Sequence, residues 1–543
     1  MQDAYPAQRP DHEPAGLGDL GTLLVLPVCF VLLAVYLRGQ AGPFWQWNLL
    51  DPAYFYLLDA LNLLNGDPPG HIYHPGITVQ AVAAVALKLR WLAFGGDVAA
   101  ALADPEVHLT WLSNAFIALN AVALAAVGLV ARRVFGSLLP ALAIQLAPFI
   151  STIVVKHAFL PKPEALLVFA TLALIGLALA MLRDETTPSA RNWLAVGFGV
   201  VAGFTVVTKI TAAPVLVLGL FVLRGWRAWL IFAASSLLAA VLFYAPAHGT
   251  EAAFVEYVLR VASSTGAHGS GGAGVVDLDA YPDAFIKILK RPALKVPLIL
   301  SLLALAACWL RARRGHAVAA AEVRLVLGVA AAQLAQTAIV AKQATAFYMI
   351  PSYMLAALSV LLSVRLLWAA RPARLRLPVD PAVAGAAAFA VFVAAQTAGM
   401  ERLATELTTL RDDARHIDNS KFTGCARIYI YAASEPTYAL YLADYVTGSR
   451  FAKALKARLL QNDFWIDDWW AWEPVRLKDW SGPRDFAQVR ALYPCVYMRG
   501  NRPGGLRRFL EAQPGGAAGF DFSCRAGIEA TALLGVDCQG RRR

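Results

Sequence analysis

Charged residues are scarce: Asp, Glu, Lys and Arg make up 16% of the 543 residues, against roughly 25% in a soluble domain. That shortage excludes an array of ordinary soluble domains, and 58% hydrophobic residues with a mean hydropathy of +0.54 point the same way. Cysteine is nearly missing from the apolar body, which holds Cys29 and Cys308, whereas Cys425, Cys495, Cys524 and Cys538 fall in the polar tail. The asymmetry places the tail in an oxidising compartment. Basic n-region and small-residue cleavage site are both lacking around the first apolar run, so it reads as a retained anchor. No internal repeat of roughly 20 to 50 residues is visible. The basic excess, a formal +11, is divided into short Arg clusters between apolar runs. There it sets topology, and nucleic acid is excluded as a partner.

What is present is a series of apolar runs. Leu20 to Leu37 would span about 26 Å as a helix, enough to cross a bilayer core. Further runs are Trp111 to Val130, Leu138 to Val155, Ala165 to Leu182, Trp193 to Val207, Thr211 to Leu223, Trp229 to Pro246, Ala293 to Leu310, Val323 to Val340, Phe347 to Leu367 and Ala382 to Thr397. The fold class is therefore a mainly α polytopic membrane protein with about eleven transmembrane helices and a small C-terminal α/β domain. Arg132 with Arg133, Arg183 with Arg191, Arg224 with Arg227, Arg311 to Arg314 and Arg371 to Arg376 fall on one side if the spans alternate. That side is the cytoplasm, although Arg38 and the Lys287 to Lys295 cluster oppose the rule. The N-terminus is then cytoplasmic, and residues 39–109, 156–164, 247–292, 341–346 and 398–543 lie on the periplasmic side. Domain boundaries follow: a membrane catalytic domain over 1–399, with a first periplasmic loop at 39–109 and a mobile loop at 247–292, and a soluble periplasmic domain over 400–543.

Two stretches depart from simple spans. Ile77 to Phe94 carries Gln80, Lys88 and Arg90 and reads as an amphipathic helix on the outer surface. Between Trp193 and Leu223, the sequence Thr208 to Pro214 breaks the apolar pattern, and broken helices in a membrane line a cavity or pack inside protein. In the tail, Arg427 to Tyr431 and Cys495 to Met498 read as strands. Ser434-Glu435-Pro436 opens a helix through Tyr445, and Gly505 to Gln513 is another.

The densest chemistry is in the first outer loop. Asp51 precedes Pro52 and an amphipathic segment, which suits an N-cap and equally a carboxylate able to take a proton from a hydroxyl. Asp59 lies about 80° further round a helix, near enough to face the same cleft. His71 and His74 follow. At the borders of later runs stand Lys156, Lys162, Glu164, Lys209 and Lys342, and lysines placed there are functional suspects, with snorkelling to headgroups as the ordinary alternative.

The order of these features carries a resemblance. One span is followed by Asp51-Pro52-Ala53-Tyr54-Phe55, then His74-Pro75-Gly76 and the Ile77 to Phe94 helix. Next come Arg132-Arg133-Val134-Phe135-Gly136, Lys162-Pro163-Glu164-Ala165-Leu166-Leu167, Gly203 to Lys209 with Thr208-Lys209, and Tyr348-Met349-Ile350-Pro351. In this the chain, over roughly residues 20–400, resembles the polyprenyl-phosphate-dependent glycosyltransferases of superfamily C (GT-C), above all the bacterial protein O-mannosyltransferase-like and lipid A aminoarabinose transferase groups. The resemblance implies Asp51 as catalytic base and Glu164 as organiser of a lipid-phosphate site. Tyr54 and Tyr348 stand in the matched motifs as candidate substrate contacts, and Asp59, His71, His74, Lys156, Lys162, Lys209 and Lys342 are candidates from the chemistry of their own positions. A polyprenyl-phosphate sugar would be the donor, and a glycan, lipid or protein the acceptor. Pro52 stands where many relatives carry a second acid, which removes one ligand of a carboxylate-held metal; a divalent cation stays open as cofactor and none is firmly implied. The family's phosphate-contacting lysine is replaced around His71 and His74, either of which would donate to a phosphate oxygen.

Other classes were weighed on the same residues. A secondary transporter should show two related halves with matching breaks, and here one break stands without duplication. An inactive scaffold of envelope-glycan assembly is consistent with the incomplete acid pair. In the tail, Trp465, Trp469, Trp470, Trp472 and Trp480 alternate with Asp463, Asp467, Asp468 and Glu473, a composition suited to stacking on sugars and equally to an interfacial belt. Four tail cysteines permit three pairings: Cys524 with Cys538 would close a short loop, and Cys425 with Cys495 would join two strand starts.

Overall fold

The structure, a computed structural model, describes residues 17–73, 76–182, 187–371, 379–430, 433–459, 462–466, 476–501 and 503–543, without the side chains of 17, 47–52, 188, 267 and 397. Proline punctuates the helices. Pro105, Pro163, Pro188, Pro292 and Pro381 each stand at a first helical position, where the missing N–H has no intrahelical partner to lose. The first helices are α1 (Leu17–Ala41), α2 (Trp47–Leu64), α3 (Ile77–Phe94), α4 (Val98–Ala103), α5 (Pro105–Phe135), α6 (Leu138–Gln145), α7 (Thr152–Ala158) and α8 (Pro163–Ala180). They continue with α9 (Pro188–Thr208), α10 (Val217–Val222), α11 (Trp226–Tyr244), α12 (Glu251–Ser263), α13 (Tyr281–Leu289), α14 (Pro292–Arg313), α15 (Ala320–Ala341), α16 (Ile350–Ala370), α17 (Pro381–Ala394) and α18 (Thr397–Arg415).

Among the described residues ten helices are long and apolar enough to cross a membrane. They depart from the sequence expectation at three places, the first being the Thr211 to Leu223 run, which is a 3-10 segment followed by the six-residue α10 and is too short to count among the ten. The Leu138 to Val155 run is not one span: Pro148 interrupts it, a 3-10 turn at Ala147–Ile150 follows α6, and the Ser151 hydroxyl caps α7 at the Ile153 amide. Helix α3, expected on the surface, is itself long and apolar enough to span, and it exposes Val85, Leu89, Leu92 and Phe94. The 247–292 segment, expected to be a mobile loop, holds α12, α13 and a tight turn in which Ser264 bridges Ala273.

The chain forms two compact units. The first comprises Met1–Val35, Ile72–Val79 and Asn114–Glu401. Within it α16 is the core helix, enclosed along most of its length from Ile350 to Ser363. Close backbone approach joins α9 to α11: a Cβ on Gly199 would lie 1.9 Å from the Ser235 hydroxyl, and one on Gly203 would lie 2.6 Å from the Ala240 amide. Small residues four apart are how helices pack tightly in lipid, where dispersion replaces the hydrophobic drive. Ser301 of α14 and Ser359 of α16 share a 2.6 Å hydrogen bond across another such contact.

The second unit comprises Tyr36–His71, Gln80–Ser113 and Arg402–Arg543, so most of residues 39–109 fold with the tail. The tail adds α19 (Pro436–Val446), α20 (Ala452–Lys456), α21 (Phe486–Leu492) and α22 (Pro503–Glu511). Its strands are β1 (Ala426–Tyr429), β2 (Asp463–Ile466), β3 (Leu477–Asp479), β4 (Gly482–Arg484), β5 (Val496–Gly500), β6 (Arg525–Ala526) and β7 (Glu529–Leu534). They form one sheet in the order β4-β3-β2-β1-β5-β7-β6, parallel at β2-β1-β5 and antiparallel elsewhere. The small α/β domain is thus present, with strands β2, β3, β4, β6 and β7 added to the two that the sequence pattern marked.

Pleating separates the two faces of this sheet. Ile428, Phe464, Val496, Met498 and Ala532 build an apolar core with Phe486, Leu506 and Phe509. In the opposite register lie Arg427, Asp463 and Arg499, buried and neutralised by the ion pairs Arg427–Asp463 and Arg499–Glu529. Disulfides join Cys425 to Cys495 and Cys524 to Cys538.

Candidate functional site

In the first unit three interruptions of helical structure meet. Helix α9 ends at Thr208, Lys209 is extended, and a 3-10 segment (Ile210–Leu216) containing Pro214 precedes α10. Pro214 has no N–H to donate, so an α-helix continued through this segment would lose the bond from position 214 to the Ile210 carbonyl. Lys162 is the N-cap of α8, with Pro163 next and Glu164 in the first turn. A 3-10 turn at Ala346–Met349 delivers Phe347 and Tyr348 just ahead of α16.

These breaks place a cluster of charges and rings. The Lys209 ammonium donates to the Glu164 carboxylate, the side chains being 4% and 2% exposed. Lys209 Nζ also sits 4.3 Å from the Tyr348 ring centroid and 5.3 Å from that of Phe347. Lys162 Nζ lies 5.3 Å from Phe347 on its own account, and the His157 ring is 4.9 Å from the same phenyl. Cation–π attraction holds an ammonium at such distances without neutralising it. Two ammonium groups and one carboxylate thus share an enclosed place with two aromatic rings. Gln336 of α15 holds the turns together: its amide donates to the Tyr348 carbonyl (2.8 Å) and the Thr211 carbonyl (3.4 Å). Thr208 is bonded to Thr78 at 2.7 Å.

Sequence reasoning brought Glu164, Lys162, Lys209 and Tyr348 to this cluster and missed Phe347 and Gln336. A signal for Gln336 was available, since a glutamine inside an apolar span is rare without a partner. Lys342 does not reach the cluster: its ammonium donates to the Val261 carbonyl at the end of α12. Lys156 is half-buried on α7 beside His157.

Asp51, Tyr54, Asp59 and His71 belong to the second unit. Helix α2 begins at Trp47, so Asp51 stands inside the helix, not at its N-cap, and its side chain lies outside the described residues. His74 lies outside them altogether. Tyr54 is buried, its hydroxyl donating to Glu106 at 2.7 Å, and Glu106 also accepts the Phe44 amide at 2.8 Å. His71 is packed between Phe55 and Tyr56, with ring centroids 5.2 and 5.5 Å away. Asp59 is fully enclosed and accepts four hydrogen bonds: Gly70 N (2.7 Å) and Asn62 Nδ2 (3.2 Å) at one oxygen, His71 N (3.0 Å) and Gln80 Nε2 (2.9 Å) at the other. The substrate-facing role expected for Asp59 thus gives way to a positioning one, because its oxygens are committed to pinning α2 to the 70–80 segment.

Burial pushes the Asp59 carboxyl up to about 7 from its ordinary 3.8, against the pull of the Gly70 and His71 amides and of Asn62. Between roughly pH 4 and 7 the folded protein therefore holds a proton that the unfolded chain has released, and stability falls as pH rises through that window. Asp59→Asn cannot titrate and is expected to flatten the slope. Urea midpoints of both proteins at about pH 5 and about pH 8 test this, and identical slopes would refute it.

In the tail, Trp465 stacks on Tyr441 at 4.3 Å, and Trp480 packs on the same ring at 4.4 Å. Trp465 is 3% exposed, so its face is spent on protein and not on a sugar. Trp469, Trp470, Trp472, Asp467, Asp468 and Glu473 lie outside the described residues. Among the described residues no group of three or more His, Cys, Asp or Glu is placed to hold a metal ion.

No family model matches the chain, and no curated protein matches it. Among solved structures it is similar to one titled "Crystal Structure of ArnT from Cupriavidus metallidurans bound to Undecaprenyl phosphate", at 13% identity and a TM-score of 0.41 over 96% of this chain and 98% of that one.

Proposed function

We propose that this chain is an integral-membrane glycosyltransferase of the GT-C kind, moving a sugar from a polyprenyl-phosphate donor to a glycan, lipid or protein acceptor on the periplasmic side of a bacterial inner membrane. The observation that carries the reading is the enclosed cluster of Lys162, Glu164 and Lys209 against Phe347 and Tyr348. A phosphate leaving with the bonding electron pair is the charge that preorganised ammonium donors stabilise. The ordered motifs from Asp51 to Pro351 support the same reading. So does the tail, whose two disulfides suit an oxidising compartment.

The chemistry needs one base and one charge sink. An acceptor hydroxyl gives its proton to the Asp51 carboxylate while its oxygen bonds to the anomeric carbon. The bond from that carbon to the phosphate oxygen breaks, and the lysines stabilise the released phosphate. A single displacement inverts the anomeric configuration.

Mass spectrometry of lipids copurifying from the source organism tests the proposal. Wild type is expected to carry bare polyprenyl phosphate, and Asp51→Asn a polyprenyl-phosphate sugar, which would also name the donor. Bulk phospholipid alone in both samples would overturn it. Equal turnover in a well-folded Asp51→Asn protein would remove Asp51 as the base.

A further inference from the structure

The tail domain is tied to α2 through one small joint. Asn62, on the C-terminal half of α2, donates its amide to the Thr447 carbonyl at 3.0 Å as well as to Asp59. Gly70, whose own amide is bonded to Asp59, runs directly against Thr447: a Cβ there would lie 2.4 Å from the Thr447 carbonyl carbon and 2.5 Å from its oxygen. Both obstacles are backbone, so no rotamer change could relieve the overlap. Gly70 does not sit at positive φ, and the demand for glycine here is for space. At the rim, Arg450 pairs with Asp67 at 3.2 Å.

The other half of the joint is rigid for its own reasons. Thr447 caps the C-terminus of α19, 1% exposed, with its hydroxyl bonded to the Ala443 carbonyl at 2.8 Å. Asp444 accepts the Phe451 amide at 2.9 Å across the turn that follows, where Gly448 and Ser449 both have positive φ. Helices α2 and α19 run close to each other at the same place. Residues 62 and 51 are about 16 Å apart along a helix, so a tilt of about 4° at the joint would move residue 51 by about 1 Å. A misplacement of that size in a reacting group costs on the order of a hundredfold in rate.

We propose that the Asn62–Thr447–Gly70 joint is a positioning device through which the tail domain sets the attitude of α2, and with it the base that α2 carries. The tail is then part of the transfer machinery and not an appended module. This inference rests on the transferase reading with Asp51 as base.

The test uses the full-length protein from its source organism and reads two quantities on copurified lipid: total polyprenyl phosphate per protein, and the fraction bearing a sugar. Gly70→Ala introduces the backbone collision, and Arg450→Asp places like charges at the rim without touching the interior. Both are expected to raise the sugar-bearing fraction several-fold toward that of Asp51→Asn while total lipid stays at the wild-type level. The charge exchange Asp67→Arg with Arg450→Asp is expected to restore the wild-type fraction. A merely structural role would lower total bound lipid together with thermal stability and would leave the sugar-bearing fraction unchanged. If Asp51→Asn accumulates sugar lipid while Arg450→Asp and a folded Gly70→Ala match wild type, the joint does not position α2 and the inference falls alone. If Gly70→Ala fails to fold, wild-type behaviour of Arg450→Asp overturns it as well. If neither wild type nor Asp51→Asn carries polyprenyl phosphate, the transferase reading falls and the inference with it.

Discussion

Glu164→Ala is expected to destabilise the first unit by about 3–5 kcal/mol, because it strands the Lys209 ammonium in a place where water cannot reach it. Glu164 and Lys209 are nearly inaccessible, and their pairing crosses from the first turn of α8 to the end of α9. Replacing both partners, as Glu164→Leu with Lys209→Met, removes two desolvated charges together and should cost far less than either single change. That pair of results separates two roles. If the cluster serves stability alone, the double variant should bind lipid phosphate as wild type does. If it receives the phosphate, the folded double variant should lose binding of added undecaprenyl phosphate, read by native mass spectrometry. Thermal unfolding in detergent measures the first quantity, and a Glu164→Ala protein as stable as wild type would refute the coupling argument.

Loss of the Cys425–Cys495 disulfide is the second large effect expected. The two residues are 70 apart in sequence and immediately precede the adjacent parallel strands β1 and β5. A link closing a loop of that length restricts the unfolded chain by about 4 kcal/mol in the chain-entropy account. The bridge also lies inside a packed cluster with Phe422, Tyr497, Leu533 and Val536, where Phe422 and Tyr497 stack at 4.0 Å. Cys425→Ser with Cys495→Ser should therefore lower the urea midpoint of the tail, followed by tryptophan fluorescence. Dithiothreitol should produce a larger shift in wild type, because it also opens the Cys524–Cys538 link, and should lower the midpoint of the double mutant further. An unchanged midpoint on reduction would mean that packing across β1 and β5 suffices without the link.

Much of the architecture was legible because its causes are local. A run of apolar residues bounded by Pro and Arg specifies a span whatever surrounds it, so α8, α9, α14, α15 and α16 stand close to where hydropathy placed them. Ser434-Glu435-Pro436 marked the start of α19, and Glu435 caps it through the Tyr438 amide at 2.7 Å. The break at Lys209 was readable from Pro214 and the polar residues around it. Two errors came from context. Hydropathy alone could not see that Pro148 and Ser151 divide the Leu138 to Val155 run. Asp51 before Pro52 suggested a helix start, whereas α2 begins four residues earlier at Trp47.

The site divides in the same way. Border lysines and the acid at 164 could be named from the sequence, because charges beside apolar runs are costly and rarely idle. Their partners could not, since nothing in a one-dimensional pattern brings residue 348 beside residue 209. Asp59 illustrates the limit best: as a carboxylate eight residues from Asp51 it suggested a second substrate contact, and only the folded loop reveals four donors closing on it.

The sequence by itself determined the membrane class, most of the helical spans, the gathering of four cysteines in the tail and the charged residues at the span borders. These follow from burial and solvation, which act residue by residue. Tertiary structure decided that Lys209 meets Glu164, that Phe347 and Tyr348 face the ammoniums, and that most of the first loop folds with the tail through Thr447. Those outcomes depend on contacts between residues up to 385 apart, and packing distances of that kind are set by the whole fold at once.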